Sequence, residues 1–188
     1  MKYFPIFLKM DSIRVLVVGG GNIALEKLEK IIDFTSDIEV ISKEIKNETM
    51  NFLKEHNIFW QMRGYLPNDV DKFDLIVVAV DDLNLQKKIF DECTSKNKLC
   101  NSVDSVDFCN FIFPAYIKRG PMCIAISTSG KSPAVAKHLK AYLAEKIPED
   151  IDDFLEYMNE LRNSLPKGQE RMRYLSEVAK KYFEKLQQ

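Results

Sequence analysis

The sequence predicts an α/β fold in which helices cover a parallel β-sheet, followed by a smaller strand-plus-helix region and a helical tail. Short runs rich in Val and Ile alternate with amphipathic helical patterns through the first half of the chain. A glycine-rich segment directly follows the first of these runs, and the alternation stops after Asn101. The 188 residues suffice for one domain of this kind with an appendage.

The strand candidates of the first half fit a sheet that is buried on both faces. The strongest three are short, rich in Val and Ile and not strictly alternating between apolar and polar residues, as expected of parallel strands. Strands that alternate with helices favour right-handed crossovers in one sheet. The predicted strands are 13–18, 38–41, 58–62, 75–80 and 98–101, and the predicted helices are 23–34, 45–56 and one that follows Asp82.

The second half has a different organisation. Residues 111–114 and 122–127 are predicted strands, separated by a turn at 119–121. A helix is expected from Pro133 to about residue 146, because Ser132 is a good N-cap and proline suits the first helical position. Two tail helices are predicted at 149–164 and 169–186. The expected domains are a nucleotide-binding part, 1–113, a dimerisation region, 114–147, and a helical C-terminal region, 148–188.

Composition excludes several classes of protein. The net charge of -1 gives no support to nucleic-acid binding through bulk charge. No apolar run reaches the roughly 20 residues that span a bilayer, and the first residues lack a signal-peptide cleavage site, so we expect neither membrane insertion nor secretion. The 4 cysteines form no C-x-x-C pair, which argues against a structural zinc site and indicates reduced thiols in a cytoplasmic protein.

The glycine-rich segment has the spacing of a dinucleotide-binding loop, G-x-G-x-x-A, between a strand and a helix. In such a loop the first glycine permits a tight turn, the second lets the backbone approach a pyrophosphate, and the small sixth residue lets the helix pack closely. This predicts a Rossmann-like domain that binds NAD; a tight turn without a ligand is the alternative. The predicted cofactor-binding residues here are Gly19, Gly20, Gly21, Asn22, Ile23 and Ala24.

The rest of the predicted cofactor site lies at the ends of other strands. An NAD site usually has Asp or Glu after the second strand, but this chain has Ser42 and Lys43 there. Lys43 could contact the 2′-phosphate of NADP, although a lysine in solvent is the reading we favour. Asp81 or Asp82 could face the cofactor, or cap the next helix. The remaining predicted cofactor-binding residues are Ser42, Lys43, Ala79, Val80, Asp81 and Asn101.

Motifs in order along the chain carry a resemblance to a known family. They are the apolar start at 4–8, the glycine loop, the segment N-S-V-D-S-V-D-F-C-N-F-I-F-P-A from residue 101, R-G-P at 119–121, and I-S-T-S-G-K-S-P at 126–133. Residues 3–145 thereby resemble the precorrin-2 dehydrogenase family, which includes the N-terminal module of siroheme synthase. The resemblance implies NAD-dependent oxidation of precorrin-2 to sirohydrochlorin in siroheme and porphyrin biosynthesis. It also implies a homodimer and, for some members, insertion of a metal into sirohydrochlorin.

The resemblance also implies a catalytic residue. The aspartate of the family's N-x-x-D motif matches Asp104, where a carboxylate could take the proton that leaves with the hydride. The alternative role for Asp104 is to cap a turn. Asn110 stands where an aspartate is common, and Ser102 lies within the motif. No resident metal site is predicted; Fe²⁺ or Co²⁺ would be a substrate of chelation.

A second candidate site precedes the helix at Pro133. Hydroxyls and a lysine at a helix N-terminus suit an anion, and precorrin-2 carries several carboxylates. The predicted substrate-binding residues are Ser127, Thr128, Ser129 and Lys131. Simple capping by Ser132, with Lys131 in solvent, is the alternative.

Three functions are therefore compared. The first is an NAD-dependent precorrin-2 dehydrogenase, and the second is the same enzyme with added ferrochelatase activity. The third is a regulatory module that senses NAD without turnover. The segments 101–104 and 127–133 favour a dehydrogenase, because a sensor does not need them.

Overall fold

The computed structural model describes residues 3–103 and 105–186 and divides the chain into two compact units. The first unit extends to Ile112 and the second begins at Phe113. The finer division of the second part at residue 148 stays a prediction.

The first unit is the predicted α/β fold. Its five strands are all parallel and lie in the order β3-β2-β1-β4-β5. The strand order therefore reverses at β1, the point at which open α/β sheets bind ligands beyond the carboxyl ends of their strands. The elements are β1 (Val15–Val18), α1 (Asn22–Ile31), β2 (Ile38–Ser42), α2 (Asn47–Glu55), β3 (Phe59–Met62), β4 (Leu75–Val78), α3 (Leu83–Ser95) and β5 (Leu99–Ser102).

The core of this unit explains why its central strands are apolar throughout. All four residues of β1 and of β4 are buried. Leu16 and Ile76 pack in one cluster with Ile89 and Cys93 of α3. Because successive side chains of a strand point to opposite faces, the equally buried Val17 belongs to the other face of the sheet. Both faces are thus covered, as the sequence predicts.

Two helices of the first unit, α2 and α3, end in the same way, with an asparagine in the left-handed conformation. Asn57 follows α2 and Asn97 follows α3, with φ of 53° and 54°. Asparagine tolerates this left-handed conformation better than most residues, and it is a common way to terminate a helix. These residues fix ends that hydrophobic periodicity alone leaves uncertain by a few residues.

The second unit corrects one predicted strand. Residues 111–114 are not a strand; β6 (Ala115–Arg119) follows them and pairs antiparallel with β7 (Met122–Ile126). The two-residue turn sets this register, because Gly120 has φ +50° and the proline after it has a fixed negative φ, the combination of a type II′ hairpin. The pairing then runs from Arg119 opposite Met122 back to Ala115 opposite Ile126.

Three helices complete the second unit. Ile117 and Ile126 of the hairpin form a small core with Ala136 of the first helix. In the tail, the Phe154 ring stacks on Tyr182 with a centroid distance of 3.7 Å. None of the helices in the described ranges is long and apolar enough to cross a membrane. The helices are α4 (Pro133–Lys146), α5 (Ile151–Ser164) and α6 (Gln169–Lys185).

Candidate dinucleotide-binding site

The three glycines of the loop after β1 have different surroundings. A Cβ on Gly19 would lie 2.2 Å from the carbonyl oxygen of Ala79, and Gly19 has φ +130°. A Cβ on Gly20 would lie 2.5 Å from the carbonyl oxygen of Glu44. A Cβ on Gly21 would meet nothing within 4 Å. Protein packing therefore requires the first two glycines, whereas the third leaves open space that a bound group can fill.

The start of α1 offers hydrogen-bond donors beside that space. The first N–H groups of a helix have no acceptor within the helix, and α1 has no side-chain cap and no acidic residue in its first turn. Asn22 and Ile23 are exposed there, while Ala24 is fully buried, as close packing of helix on strand requires. These donors and the helix dipole suit a pyrophosphate.

A residue of α2 that sequence reasoning missed supports this loop. Thr49 is fully buried, and its hydroxyl donates to the carbonyl oxygen of Gly21 at 3.4 Å. The backbone N–H of Lys46, at the start of α2, donates to the Gly20 carbonyl oxygen at 3.0 Å. A polar residue on an apolar helix face was the signal that could have identified Thr49. Its hydrogen-bond partner, Gly21, lies 28 residues away in the sequence, so the contact itself could not be predicted.

The carboxyl end of β2 carries the predicted ribose-side residues. The Ser42 hydroxyl donates to the carbonyl oxygen of Glu44 at 2.6 Å, which shapes the turn after the strand. Lys43 is exposed, and its aliphatic stem lies against Gly64, where a Cβ would be 3.1 Å from the lysine Cε. Ser42 and Lys43 of the predicted site thus directly precede residues 44–45, which pack on Gly20.

The neighbouring cation at this edge has a structural partner. The Arg63 guanidinium donates to both carboxylate oxygens of Asp69, at 2.6 and 2.8 Å, and to Gln61 at 2.7 Å. Burial raises the pKa of Asp69, but hydrogen bonds from Arg63 and from the Leu66 N–H outweigh it and hold that pKa below its usual value. Hydrogen bonding to Asp69 raises the pKa of Arg63 in turn. The Arg63 side chain therefore has a structural role.

The two aspartates that follow β4 have different surroundings. Asp82 is the N-cap of α3, and its carboxylate accepts from the N–H groups of Asn84 and Leu85. Asp81 is exposed and remains the candidate for the cofactor. Ala79, whose carbonyl lies against Gly19, borders the glycine loop directly.

The backbone that follows Ala79 is held by α3. The carbonyl oxygen of Val80 accepts from the side chain of Gln86, which is 4% exposed, at 2.6 Å. Sequence reasoning missed this residue, because a glutamine in a helix pattern gives no signal of a tertiary role. Gln86 fixes the path of the chain just beyond the carboxyl end of β4.

The end of β5 leads into the segment with the proposed catalytic residue. Asp104 itself lies outside the described residues. The buried Asn101 donates to the carbonyl oxygen of Phe111 at 3.0 Å and to Cys109 Sγ at 3.4 Å. The Cys109 thiol donates to the carbonyl oxygens of Ser102 and Ser105, and burial raises its pKa, which favours the protonated donor. Asn101 therefore orders this segment; cofactor contact by it stays a prediction.

The departure at Asn110 has a structural reason. Its side chain accepts from the N–H of Cys100 and donates to the carbonyl oxygen of Lys98, both at 2.8 Å. The amide thus completes the hydrogen bonds of the β5 edge strand. An aspartate could accept there but, when ionised, could not donate.

The predicted substrate loop lies in the second unit and is organised by its own hydroxyls. Thr128 Oγ1 accepts from the Ser132 N–H and donates to the Ser132 carbonyl oxygen, both at 3.1 Å. Ser127 Oγ accepts from the Ser129 N–H, and Ser132 caps α4 as predicted. Lys131 is exposed. The hydroxyls of Ser127 and Thr128 are therefore partly used in the turn, and their contact with a substrate stays a prediction.

The first unit brings its predicted cofactor residues to one edge of the sheet. The glycine loop lies between the ends of β2 and β4, because β1 pairs with both strands. The open space at Gly21 and the uncapped start of α1 fit the pyrophosphate of a dinucleotide. The second-unit loop is a separate candidate site with anion-binding character.

Comparisons with known proteins agree with this geometry. Residues 6–115, more than half of the chain, match the family model described as "Putative NAD(P)-binding". Residues 119–146 match the model described as "Sirohaem biosynthesis protein central". A solved structure of SirC, a precorrin-2 dehydrogenase, has the same fold, with a TM-score of 0.76, 24% identity and coverage of 94% of this chain and 89% of that one.

Sequence relatives extend the likeness. The siroheme synthase of Neisseria meningitidis serogroup C is 33% identical over 165 residues, or 88% of this chain and 34% of the relative. Siroheme synthase 1 of Cronobacter sakazakii is 31% identical over 87% of this chain and 35% of the relative. The chain thus spans about a third of the length of these curated relatives. The resemblance drawn from the motifs is confirmed, and the match over residues 6–115 shows that the chain belongs to the NAD(P)-binding family of that model.

Proposed function

We propose that this protein oxidises precorrin-2 to sirohydrochlorin with NAD as the hydride acceptor, in siroheme biosynthesis. The observation that carries the proposal is the open cradle at Gly21, set between the ends of β2 and β4 in a chain of the NAD(P)-binding family. The siroheme synthase relatives and the SirC likeness support the tetrapyrrole substrate. Four free cysteines support a cytoplasmic setting.

The chemistry divides between cofactor and protein. Bound NAD accepts a hydride, and the protein must hold the substrate and remove one proton. In this proposal the Gly21 backbone and the α1 amides bind the pyrophosphate. Asp104 takes the proton, because it follows the strand end that borders this side of the sheet. Hydrogen bonds from Asn101 and Cys109 order the residues on both sides of it.

The decisive experiment measures turnover and binding in the same variant. Asp104→Asn should bind NAD within about twofold of the unchanged protein while sirohydrochlorin formation falls by about 100-fold or more. Asp107→Asn removes an exposed carboxylate of the same segment and should retain activity. Full turnover in Asp104→Asn would refute the catalytic role. Binding of NAD without any turnover in the unchanged protein would favour the sensor.

Lys131 provides the test of the substrate loop. We propose that the loop of Ser127, Thr128, Ser129 and Lys131 holds substrate carboxylates, because it combines an exposed lysine with the N-terminus of α4. Lys131→Glu should raise the KM for precorrin-2 and leave NAD affinity unchanged. Lys137→Glu on the exposed face of α4 is the matched charge control. An equal KM in both variants would remove Lys131 from the site.

A homodimer through the second unit is the partner that we propose. Val135, Leu139 and Tyr142 of α4 are 56%, 40% and 58% exposed and recur at helical spacing, so they form one apolar face. Leu139→Glu should shift the mass measured by light scattering from dimer to monomer. A monomeric unchanged protein would refute the proposal.

Metal insertion is tested with the product of the same assay. Sirohydrochlorin is incubated with the protein and Fe²⁺ or Co²⁺ under anaerobic conditions, and the absorbance of the metallated product is followed. A rate above that of the protein-free mixture establishes chelation, and an equal rate limits the protein to dehydrogenation.

A further inference from the structure

We propose that Cys109 is a positioning residue for the dehydrogenation, because its thiol ties together the two stretches of backbone that flank Asp104 in the sequence. The inference deepens the proposed function and rests on it, since the cysteine acts here through the carboxylate that takes the proton. It gives the thiol a role in turnover in addition to its contribution to the fold.

The first observation is that the segment with the proposed base forms a closed loop. Asn101 in β5 pairs with Cys109 through an isolated antiparallel bridge. The chain therefore leaves the sheet after β5 and returns to its edge beside the point of departure. Asp104 belongs by sequence to the loop 102–108, so the contacts that fix this loop also set where its carboxylate can act.

The second observation is that the thiol joins the two arms of this loop. Cys109 Sγ lies 3.2 Å from the carbonyl oxygen of Ser102 and 3.1 Å from that of Ser105. Ser102 precedes Asp104 in the sequence and Ser105 follows it directly. Because a thiol has one proton, the two carbonyl oxygens share a single donor, and loss of that donor frees both arms at once.

The third observation is that the first arm is anchored at the cofactor side of the sheet. The Val103 N–H donates to the carbonyl oxygen of Val78, the last residue of β4, at 2.9 Å. Ala79, which follows, borders the glycine loop. The Cys109 thiol then connects this anchored arm to the second arm at Ser105. The thiol thereby relates the whole loop to the edge at which the dinucleotide is proposed to bind.

The fourth observation is that the surroundings of the thiol keep it a donor. The Asn101 amide, whose residue is only 8% exposed, donates to Cys109 Sγ at 3.4 Å and to the carbonyl oxygen of Phe111 at 3.0 Å. The sulfur thus accepts from Asn101 and keeps its own proton for the carbonyl oxygens. Burial raises the pKa of Cys109, so the thiol is protonated at neutral pH and is a poor nucleophile.

Steady-state kinetics and NAD binding of three Cys109 variants test the proposal. Cys109→Ala should lower kcat by about tenfold and change the KM for precorrin-2 and the Kd for NAD by less than about twofold. Cys109→Ser should keep kcat within about threefold of the unchanged protein, because a hydroxyl can donate to the same carbonyl oxygens. Cys109→Val fills the space without a donor, should lose as much kcat as the alanine variant, and replaces it if that variant does not fold.

Two control variants separate positioning from a general loosening of the structure. Asn110→Ala removes hydrogen bonds to the Cys100 N–H and to the Lys98 carbonyl oxygen at the base of the same loop, but spares the carbonyl oxygens that the thiol holds. It should lower the Tm and change kcat by less than about twofold. Cys123→Ala removes a half-buried thiol in β7 and should leave kcat unchanged.

A double substitution shows whether the thiol acts through the proposed base. In the Asp104→Asn protein, Cys109→Ala should lower the residual kcat by less than about twofold, because effects that share one carboxylate do not add. A further tenfold loss overturns the positioning role. So does an unchanged kcat in a folded Cys109→Ala or Cys109→Val protein, or an equal loss of kcat in Asn110→Ala.

The failure of this inference differs from the failure of the proposed function. An inactive Asp104→Asn protein with a fully active Cys109→Ala protein refutes the positioning role alone. Full turnover in Asp104→Asn refutes the proposed base and, with it, the role of the thiol.

Discussion

Alanine substitutions at Gly21 and Gly19 should separate binding from stability within one loop. A Cβ at Gly21 enters open space, and the φ of -89° is ordinary for an L-residue. A Cβ at Gly19 would lie 2.2 Å from a backbone oxygen, at a φ of +130°. Gly21→Ala should therefore fold and bind NAD poorly, whereas Gly19→Ala should be poorly stable.

The structure sets the magnitude for Gly19→Ala. The unfavourable φ costs about 1–3 kcal/mol of folding free energy. Relief of the clash must move the Ala79 carbonyl and strain the bond from the Ala79 N–H to Val18, worth about 1 kcal/mol. We expect a total loss of about 2–4 kcal/mol in the free energy of unfolding.

The magnitude for Gly21→Ala comes from two opposing effects. Alanine is a poorer N-cap than glycine, but it lowers the entropy of the unfolded chain, so the net change should stay within about 1 kcal/mol. The methyl group would occupy the space beside the α1 amides. We expect a loss of NAD affinity of at least about tenfold, equivalent to about 1.4 kcal/mol.

Two measurements check both expectations. Urea unfolding is followed by the fluorescence of Trp60, the single tryptophan in the sequence, which lies half-buried in β3. NAD binding is measured by calorimetry at a temperature where both variants are folded. Unchanged NAD affinity in Gly21→Ala would refute the pyrophosphate cradle, and unchanged stability in Gly19→Ala would refute the packing argument.

Three further substitutions test the supports of the fold. Asp82→Ala removes the cap of α3 and should cost about 1 kcal/mol in urea unfolding, whereas Asp81→Ala should change stability by less than about 0.5 kcal/mol. Arg119 donates to the carbonyl oxygens of Ala144, Ile147 and Pro148 at the end of α4, so Arg119→Lys should lower the Tm with a loss of about 1–2 kcal/mol. Because folding lowers the pKa of Asp69, its ionised carboxylate stabilises the folded protein at pH values above the unfolded-state pKa of about 4. This stability is lost as the pH falls through the lower pKa of the folded state. Asp69→Asn should therefore lose about 1 kcal/mol at neutral pH and a smaller amount at acid pH, as unfolding at a series of pH values would show.

The parts of the fold that local patterns determine could be predicted from the sequence. Every strand of the parallel sheet was placed: β1 and β4 are continuous apolar runs buried on both faces, and the outer strands β3 and β5 were expected to extend the same sheet. The predicted start of α4 at Pro133 is confirmed, because Ser132 and the proline are local signals. The strand predicted at 111–114 was wrong because apolar residues there suggested a strand, whereas the turn at Gly120 sets the pairing of the hairpin.

Other parts of the site depend on contacts between distant residues. Thr49 supports Gly21 across 28 positions, and the Asn110 amide completes the edge of β5 across 10 and 12 positions. No local pattern carries these pairings. The Arg119 guanidinium likewise reaches the carbonyl oxygens at the end of α4 across 25 to 29 positions.

The glycines of the loop can be required either by packing within the chain or by the approach of a ligand, and the sequence alone does not separate these two requirements. Gly19 and Gly20 are required by the carbonyl groups of Ala79 and Glu44, so a chain that binds nothing could still need them. Gly21 has no such neighbour, and packing does not explain why a side chain is absent there. Nor does backbone conformation, because its φ suits any residue. Gly21 is also the N-cap of α1, where glycine is only modestly better than alanine, so we propose that a ligand approaching the start of α1 is the main reason for a glycine here.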